Sequence, residues 1–324
     1  MHTALTETAA PAVKTTPQEK LRRFINAYWL RPENAFWMTL RSHALDGVEM
    51  RSPFLDLSCG DGVFSFLHAG GRFEPHFDVF GAVARLDEVE SEHADIFDHV
   101  DNDYHPPIAT PPAARFDCGT DCKKALLVKA SRLNIYDRLI LHDNNNALPF
   151  DDDTFQTVYC NAAYWIHNID GFLTEMRRIT ATGGVVVLQV KLDTIREYTL
   201  DRHQEQLGKR WLETIDRGRI ASWPTLAGCA EWEGRFARAG FDIVGETPFV
   251  TGTHAHIWDI GLRPIAPMLV KTMAAIHPHL RREIKQDWVN QFCTLLEPFC
   301  KPDMDLFTLP SHPVEIQYEL TPKR

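Results

Sequence analysis

The run Phe54-Leu-Asp-Leu-Ser-Cys-Gly-Asp-Gly62 constrains this chain more than any other stretch. An apolar segment, Phe54 to Leu57, gives way to small residues and two glycines, and a second apolar segment, Val63 to Leu67, follows at once. The pattern predicts a buried strand, a tight turn and the start of a helix. Gly60 and Gly62 lack a Cβ, so the backbone there can come close to a ligand. The N–H groups at a helix start have no partner within the helix and can receive a polar or anionic group. A dinucleotide turn would need a third glycine and an acid about twenty residues later. Ser65 stands at the third position, and no strand ending in an acid is evident at that distance.

Asp56, on the strand before the glycines, points to another ligand class. The segment Leu55-Asp-Leu-Ser-Cys-Gly-Asp-Gly62 resembles motif I of the class I S-adenosylmethionine-dependent methyltransferases, with Ser58 where that family usually has glycine. The resemblance implies an α/β fold: a doubly wound seven-stranded mixed sheet of Rossmann-like type with helical cap insertions. It also implies S-adenosyl-L-methionine as cofactor.

Bulk properties narrow the class further. With 324 residues, 44% hydrophobic and 24% charged, the chain is expected to be a soluble globular protein. A net charge of -10 argues against a nucleic-acid or anionic-membrane surface, and no apolar run reaches membrane-spanning length. Residues 1–17, rich in Thr, Ala and Pro, read as a disordered tail without a signal-peptide core. Seven scattered cysteines, with Cys118/Cys122 and Cys293/Cys300 completing no zinc pattern, read as reduced thiols of a cytoplasmic protein.

Residues 18–50 form an aromatic helical pair interrupted by Pro32, either packed on the core or acting as a lid. The core spans 51–191 and 228–324, with insertions at 68–113 and 249–300 and a helical cap segment at 192–227. A short helix is expected near Val79 to Val89, a charged amphipathic helix over Asp193 to Gly218, a strand over Gly240 to Gly245, and helices over Ile265 to Ile276 and Leu280 to Phe299. The first insertion holds His93, Asp98, His99, Asp101, Asp103 and His105, which match no standard metal spacing and read as an acidic loop. No metal is called for.

Further segments carry the resemblance in the correct order. Ala114-Arg-Phe-Asp-Cys-Gly-Thr-Asp121 matches the family's second strand, whose terminal acid binds the ribose hydroxyls. A carboxylate suits a diol because it accepts two hydrogen bonds. Asp117 and Asp121 compete, and the family register selects Asp121, with Cys122 beside it. Asp143-Asn-Asn-Asn-Ala-Leu-Pro-Phe150 resembles the adenine-binding pattern, implying roles for Asp143 and Asn144. Cys160 and Asn161 end the fourth strand, where the methionine portion is implied to lie. Asp56, Ser58, Gly60 and Gly62 complete the implied cofactor set. Gly183-Gly184 then precedes the apolar fifth strand, Val185 to Val190, and Val314 to Leu320 alternates as an antiparallel closing strand.

The implied chemistry is in-line methyl transfer, in which the protein mainly aligns nucleophile, carbon and leaving sulfur. His167 is the first candidate for a general base, or else a histidine packed at a helix entry. Tyr164 and Trp165 are placed near the sulfonium and the acceptor. Tyr28, Trp29 and Arg31 line the lid; Arg31 either binds an acidic acceptor or pairs with Glu33. His254 and His256 fall on one side if their segment is extended, as pocket lining or as a surface pair. Acidic charge and aromatic caps favour a small-molecule acceptor, with oxygen of a natural product, sugar or lipid precursor preferred. N-methylation, or cofactor binding without catalysis, is the alternative. The aromatic excursions serve either as a lid or as a homodimer interface.

Overall fold

The computed structural model describes residues 15–78, 99–210, 212, 223–300 and 312–323. Seven strands form one sheet: β1 (Phe54–Leu57), β4 (Phe116–Asp121), β5 (Tyr136–Leu141), β6 (Phe155–Cys160), β7 (Thr180–Lys191), β8 (Phe241–Thr251) and β9 (Pro313–Pro322). Their order is β5-β4-β1-β6-β7-β9-β8. Pairings are parallel from β5 through β7, whereas β9 runs antiparallel to both β7 and β8. A parallel sheet must be covered on both faces, and β1 accordingly is buried along its whole length. The order reverses at β1, flanked by β4 and β6, and open α/β sheets bind ligands at the carboxyl ends of strands at such a switch point.

Two apolar layers cover the sheet. On one face, Leu55, Leu57 and Val158 meet Phe172, Leu173 and Met176 of α5 (Ile169–Ile179) and Trp232 and Phe236 of α7 (Cys229–Arg238). On the other, Phe54, Phe116 and Tyr159 meet the N-terminal helices α1 (Pro17–Ala27) and α2 (Pro32–Ala44), α3 (Val63–His68) and α4 (Lys124–Ser131). Helix α1 starts at Thr16, whose hydroxyl accepts the Glu19 N–H while the Glu19 carboxylate accepts the Thr16 N–H. That reciprocal cap and Pro17 in the first turn fix where the helix begins. Pro32 likewise opens α2.

The insertions depart from the sequence-based expectations. Residues 72–73 (β2) and 108–110 (β3) pair as a two-stranded antiparallel ribbon. The helix expected near 79–89, with His93 and Asp98, lies outside the described residues. Among the described residues no group of three or more His, Cys, Asp or Glu side chains is placed to hold a metal, and no helix is long and apolar enough to cross a membrane. In place of one helix over 193–218, the described residues form tight 3-10 turns at Asp193–Tyr198 and Leu200–His203, then α6 (Gln204–Leu207). The buried Asp259 carboxylate takes the Leu200 N–H at 2.7 Å, pinning the second turn, and Gly208 at φ 79° ends α6. The strand expected to end at Gly245 continues to Thr251, because β9 pairs with it throughout. Next come α8 (Gly252–His256), α9 (Ala266–Ala274) and α10 (Pro278–Leu296). Helix α1 rests on this last region through Arg22 to Asn290 and Gln18 to Glu297.

Candidate cofactor and acceptor site

Five strand tips supply the site at the carboxyl edge of the sheet. At the tip of β1, Ser58, Gly60 and Gly62 all have positive φ, 61°, 61° and 75°. The two glycines do different work. A Cβ at Gly60 would meet nothing within 4 Å, so that position faces open space. One at Gly62 would lie 3.2 Å from the Ala130 Cβ and 3.3 Å from Tyr136, so the turn packs directly on α4 and β5. Gly62→Ala is expected to cost about 1–3 kcal/mol through the left-handed backbone and this crowding, read as a lower denaturation midpoint. An unchanged midpoint would show that α4 yields.

Asp56 is buried and receives hydrogen bonds from Ser65 and Tyr136, each at 2.5 Å. Burial pushes it up to about 6 despite those two donors. At the tip of β4 the Asp121 carboxylate accepts the Gly60 N–H at 3.0 Å and the Lys123 N–H at 2.9 Å, so it already faces the glycine turn. Burial raises its pKa, opposed by those backbone donors. Asp117 sits at the other end of β4, receiving the Ser52 hydroxyl and the Phe54 N–H, away from the strand tips. Cys122 is exposed beside Asp121.

After β5, Asp143 is solvent-exposed and is held below the usual carboxylate range by Asn145, whose backbone and side-chain N–H groups both donate to it. Asn144 is buried. Its Nδ2 donates to the Ser58 hydroxyl at 2.9 Å, clasping the β1 and β5 loops together, while its Oδ1 is buried with no partner among the described residues. A buried acceptor left unpaired costs free energy unless a ligand or water supplies the donor. Ser58, which stands where the resembled motif usually has glycine, thus supplies the hydroxyl that fixes Asn144.

The tip of β6 holds Cys160, fully buried with its thiol pushed up to about 12 by desolvation, and Asn161, which donates to the Tyr159 hydroxyl at 3.1 Å. His167 is exposed, and its backbone N–H donates to Asn145 Oδ1 at 2.8 Å, which brings it to the Asp143 loop. Trp165 is exposed and Tyr164 half-buried.

The lid residues are placed differently from one another. Tyr28 and Trp29 are buried in the core layer under α1. Tyr28 lies beside Asp61 of the glycine turn, and burial together with that carboxyl pushes its phenol well up. Arg31 pairs with the fully buried Glu33. His254 and His256 do not share a side. Thr251 caps a helical turn there, which puts His254 inside and leaves His256 exposed. His254 Nδ1 accepts the Thr251 N–H and Nε2 meets the Phe299 carbonyl at 3.0 Å, so both ring nitrogens are engaged. Burial holds its pKa down at about 4.

One group had no sequence signal. Lys191, the last residue of β7, is buried and pairs with the fully buried Glu315, its register partner on β9. Arg41 also pairs with Glu315 at 3.0 Å, and the Trp37 indole N–H donates to it at 3.1 Å.

A family model described as a methyltransferase domain matches residues 114–188, the stretch from the lead-in to β4 through most of β7. Several solved structures align with most of the chain. A Haloferax volcanii chain in complex with the Trm112 methyltransferase activator is 16% identical, with 90% of this chain and 92% of that chain covered and a TM-score of 0.45. A SAM-dependent methyltransferase of Thermotoga maritima is 12% identical, with 94% and 99% covered and a TM-score of 0.43. Another from Thiobacillus denitrificans, in complex with S-adenosyl-L-homocysteine, is 14% identical, with 88% and 90% covered and a TM-score of 0.41. No curated protein matches the chain.

Proposed function

From the premise that the chain carries a class I S-adenosylmethionine-dependent methyltransferase domain, we propose that it methylates a small-molecule acceptor, at oxygen, by in-line displacement. When bound, S-adenosylmethionine supplies an electrophilic methyl: the acceptor lone pair forms the new bond to carbon as the carbon–sulfur bond breaks, its electron pair leaving on sulfur. The observation that carries the cofactor reading is the convergence at one sheet edge of Asp121, the open Gly60 turn and the unpartnered Asn144 Oδ1. In this reading Asp121 accepts the ribose hydroxyls, and Asp143 and Asn144 take the adenine. Gly60, Gly62 and Ser58 shape the loop that admits the cofactor's backbone-facing atoms, and Asp56, Cys122, Cys160 and Asn161 border it. In this reading α2, residues 223–227 and the turn after α8 border the acceptor, which favours a small molecule over a polymer.

The direct experiment is incubation with S-adenosylmethionine and a panel of small acceptors, followed by mass analysis for gain of one methyl. His167, at the rim beside the Asp143 loop, is the candidate to take up the acceptor's proton. His167→Ala is expected to lower turnover by on the order of 10²-fold with unchanged cofactor affinity. Full turnover in this variant would remove it from that role.

A further inference from the structure

Four aromatic rings from four separate parts of the chain converge on one buried ammonium. Trp37 comes from α2, Tyr164 from the turn after β6, Trp223 from the stretch before α7, and Trp258 from the wide helical turn after α8. Their ring centres lie 4.2, 4.8, 5.1 and 5.7 Å from Lys191 Nζ, in the order Trp37, Tyr164, Trp223, Trp258. The rings also pack on one another: Trp37 on Trp258 at 4.5 Å, Tyr164 edge-on to Trp223 at 5.9 Å, and Trp223 stacked on Trp258 at 6.2 Å. Three of the rings are almost fully buried, and Tyr164, the wall nearest the tip of β6, is the half-buried one.

One feature points to a ligand. The Trp223 indole N–H is buried with no partner among the described residues, a donor waiting for an acceptor. A chain of hydrogen bonds also runs from Asn161 to the Tyr159 hydroxyl, on to Gln189 Oε1, and from Gln189 Nε2 to the Arg41 carbonyl. The Arg41 guanidinium in turn lies 5.6 Å from the centre of the Tyr164 ring, which links the cage to the strand tip where the methyl donor is expected.

A cage of this shape ordinarily attracts a cationic ligand. Here the chain fills it with its own cation, so an ammonium acceptor would meet the Lys191 charge. An electron-rich planar acceptor bearing an anionic oxygen meets the opposite: flat walls, an ammonium and an indole N–H. We propose that the half-buried Tyr164 side of this cage is the acceptor site and that its acceptor class is an aromatic hydroxyl compound bound as its phenolate. Lys191 acts as the positioning residue and Trp223 as the second donor. The assignment rests on the methyltransferase reading above and names its substrate class. The hydroxyl proton leaves on the Tyr164 side, is taken up by His167, the base proposed above, and passes from it to solvent. The phenolate oxygen then bonds to the methyl carbon, sulfur keeps the pair from the broken bond, and Lys191 retains its proton throughout.

The test uses 4-nitrophenol, whose phenolate absorbs visibly, at a pH one unit below its own pKa, with the full chain saturated in S-adenosylhomocysteine. Calorimetry first confirms that the homocysteine compound binds. The expected result is saturable one-to-one binding with a phenolate band and quenched tryptophan fluorescence. Lys191→Met should weaken that binding roughly tenfold or more and remove the band. Trp223→Phe should weaken it several-fold, and 4-nitrobenzylamine should not compete. Absence of 4-nitrophenol binding to a protein that binds S-adenosylhomocysteine overturns the assignment, as does equal binding by the folded Lys191→Met variant or displacement by the amine. Failure of S-adenosylhomocysteine itself to bind would instead show that the methyltransferase reading has failed, and this assignment would fall with it.

Discussion

Asp121→Ala is expected to weaken S-adenosylmethionine binding by about 1.5–3 kcal/mol, roughly 10- to 150-fold, on the scale of a lost charge-assisted hydrogen bond. Two losses combine in that figure. The proposed ribose acceptor disappears, and so does the carboxylate that holds the Gly60 N–H in the turn. Asp121→Asn keeps one acceptor oxygen and should fall between the two. Asp117→Ala is the control: its partners, the Ser52 hydroxyl and the Phe54 N–H, lie at the opposite end of the strand, so stability should fall and affinity should not. Titration calorimetry reads all three variants, and unchanged affinity in Asp121→Ala would remove that residue from the site.

Glu315→Ala is expected to be the most destabilising single change, costing about 3–5 kcal/mol. Glu315 is fully buried and answers Arg41, Lys191 and the Trp37 indole N–H. Removing it leaves two cations in a low-dielectric interior with their principal anionic partner gone. The loss should appear as a fall in Tm of on the order of 2–4 °C for each kcal/mol. The same pair gives the fold an acid limit. Burial alone would raise the Glu315 pKa, but the Arg41 and Lys191 charges outweigh it and hold the carboxyl below its ordinary value. Its stabilising contribution is therefore present above the unfolded carboxylate pKa and is lost as pH falls through the lower folded value. A variant melting within about 1 °C of the parent would mean that the cluster contributes little net stability.

Much of the framework could be read from local chemistry. Phe54 to Leu67 states its strand, turn and helix in consecutive residues, and β6 and α5 follow the same logic because apolar periodicity is a short-range signal. Gly183-Gly184, expected to precede the fifth strand, instead lie within β7, which begins at Thr180 because Thr180 already pairs with Phe155 of β6. The positions of Asp121 at the end of β4 and of Asp143 two residues after β5 could be read locally, because each stands at or just past the end of a strand in a recognisable register. Long-range effects were not visible. His254 and His256 alternate in the sequence, yet the Thr251 cap and the Phe299 carbonyl settle them into a helical turn. The 193–208 stretch has helical periodicity, but Asp259, distant in sequence, holds its backbone in tight turns. Lys191 gave no signal at all, because a lysine after an apolar strand ordinarily marks where the chain meets water. Only the convergence of Trp37, Tyr164, Trp223, Trp258 and Glu315 turns it into a buried feature.

The central claim is cofactor identity, and calorimetric titration of the unmodified protein with S-adenosylmethionine, and separately with NAD, tests it most directly. The account predicts saturable one-to-one binding of S-adenosylmethionine and none of NAD. A folded protein that binds NAD, or that shows no saturable heat with S-adenosylmethionine, would contradict it.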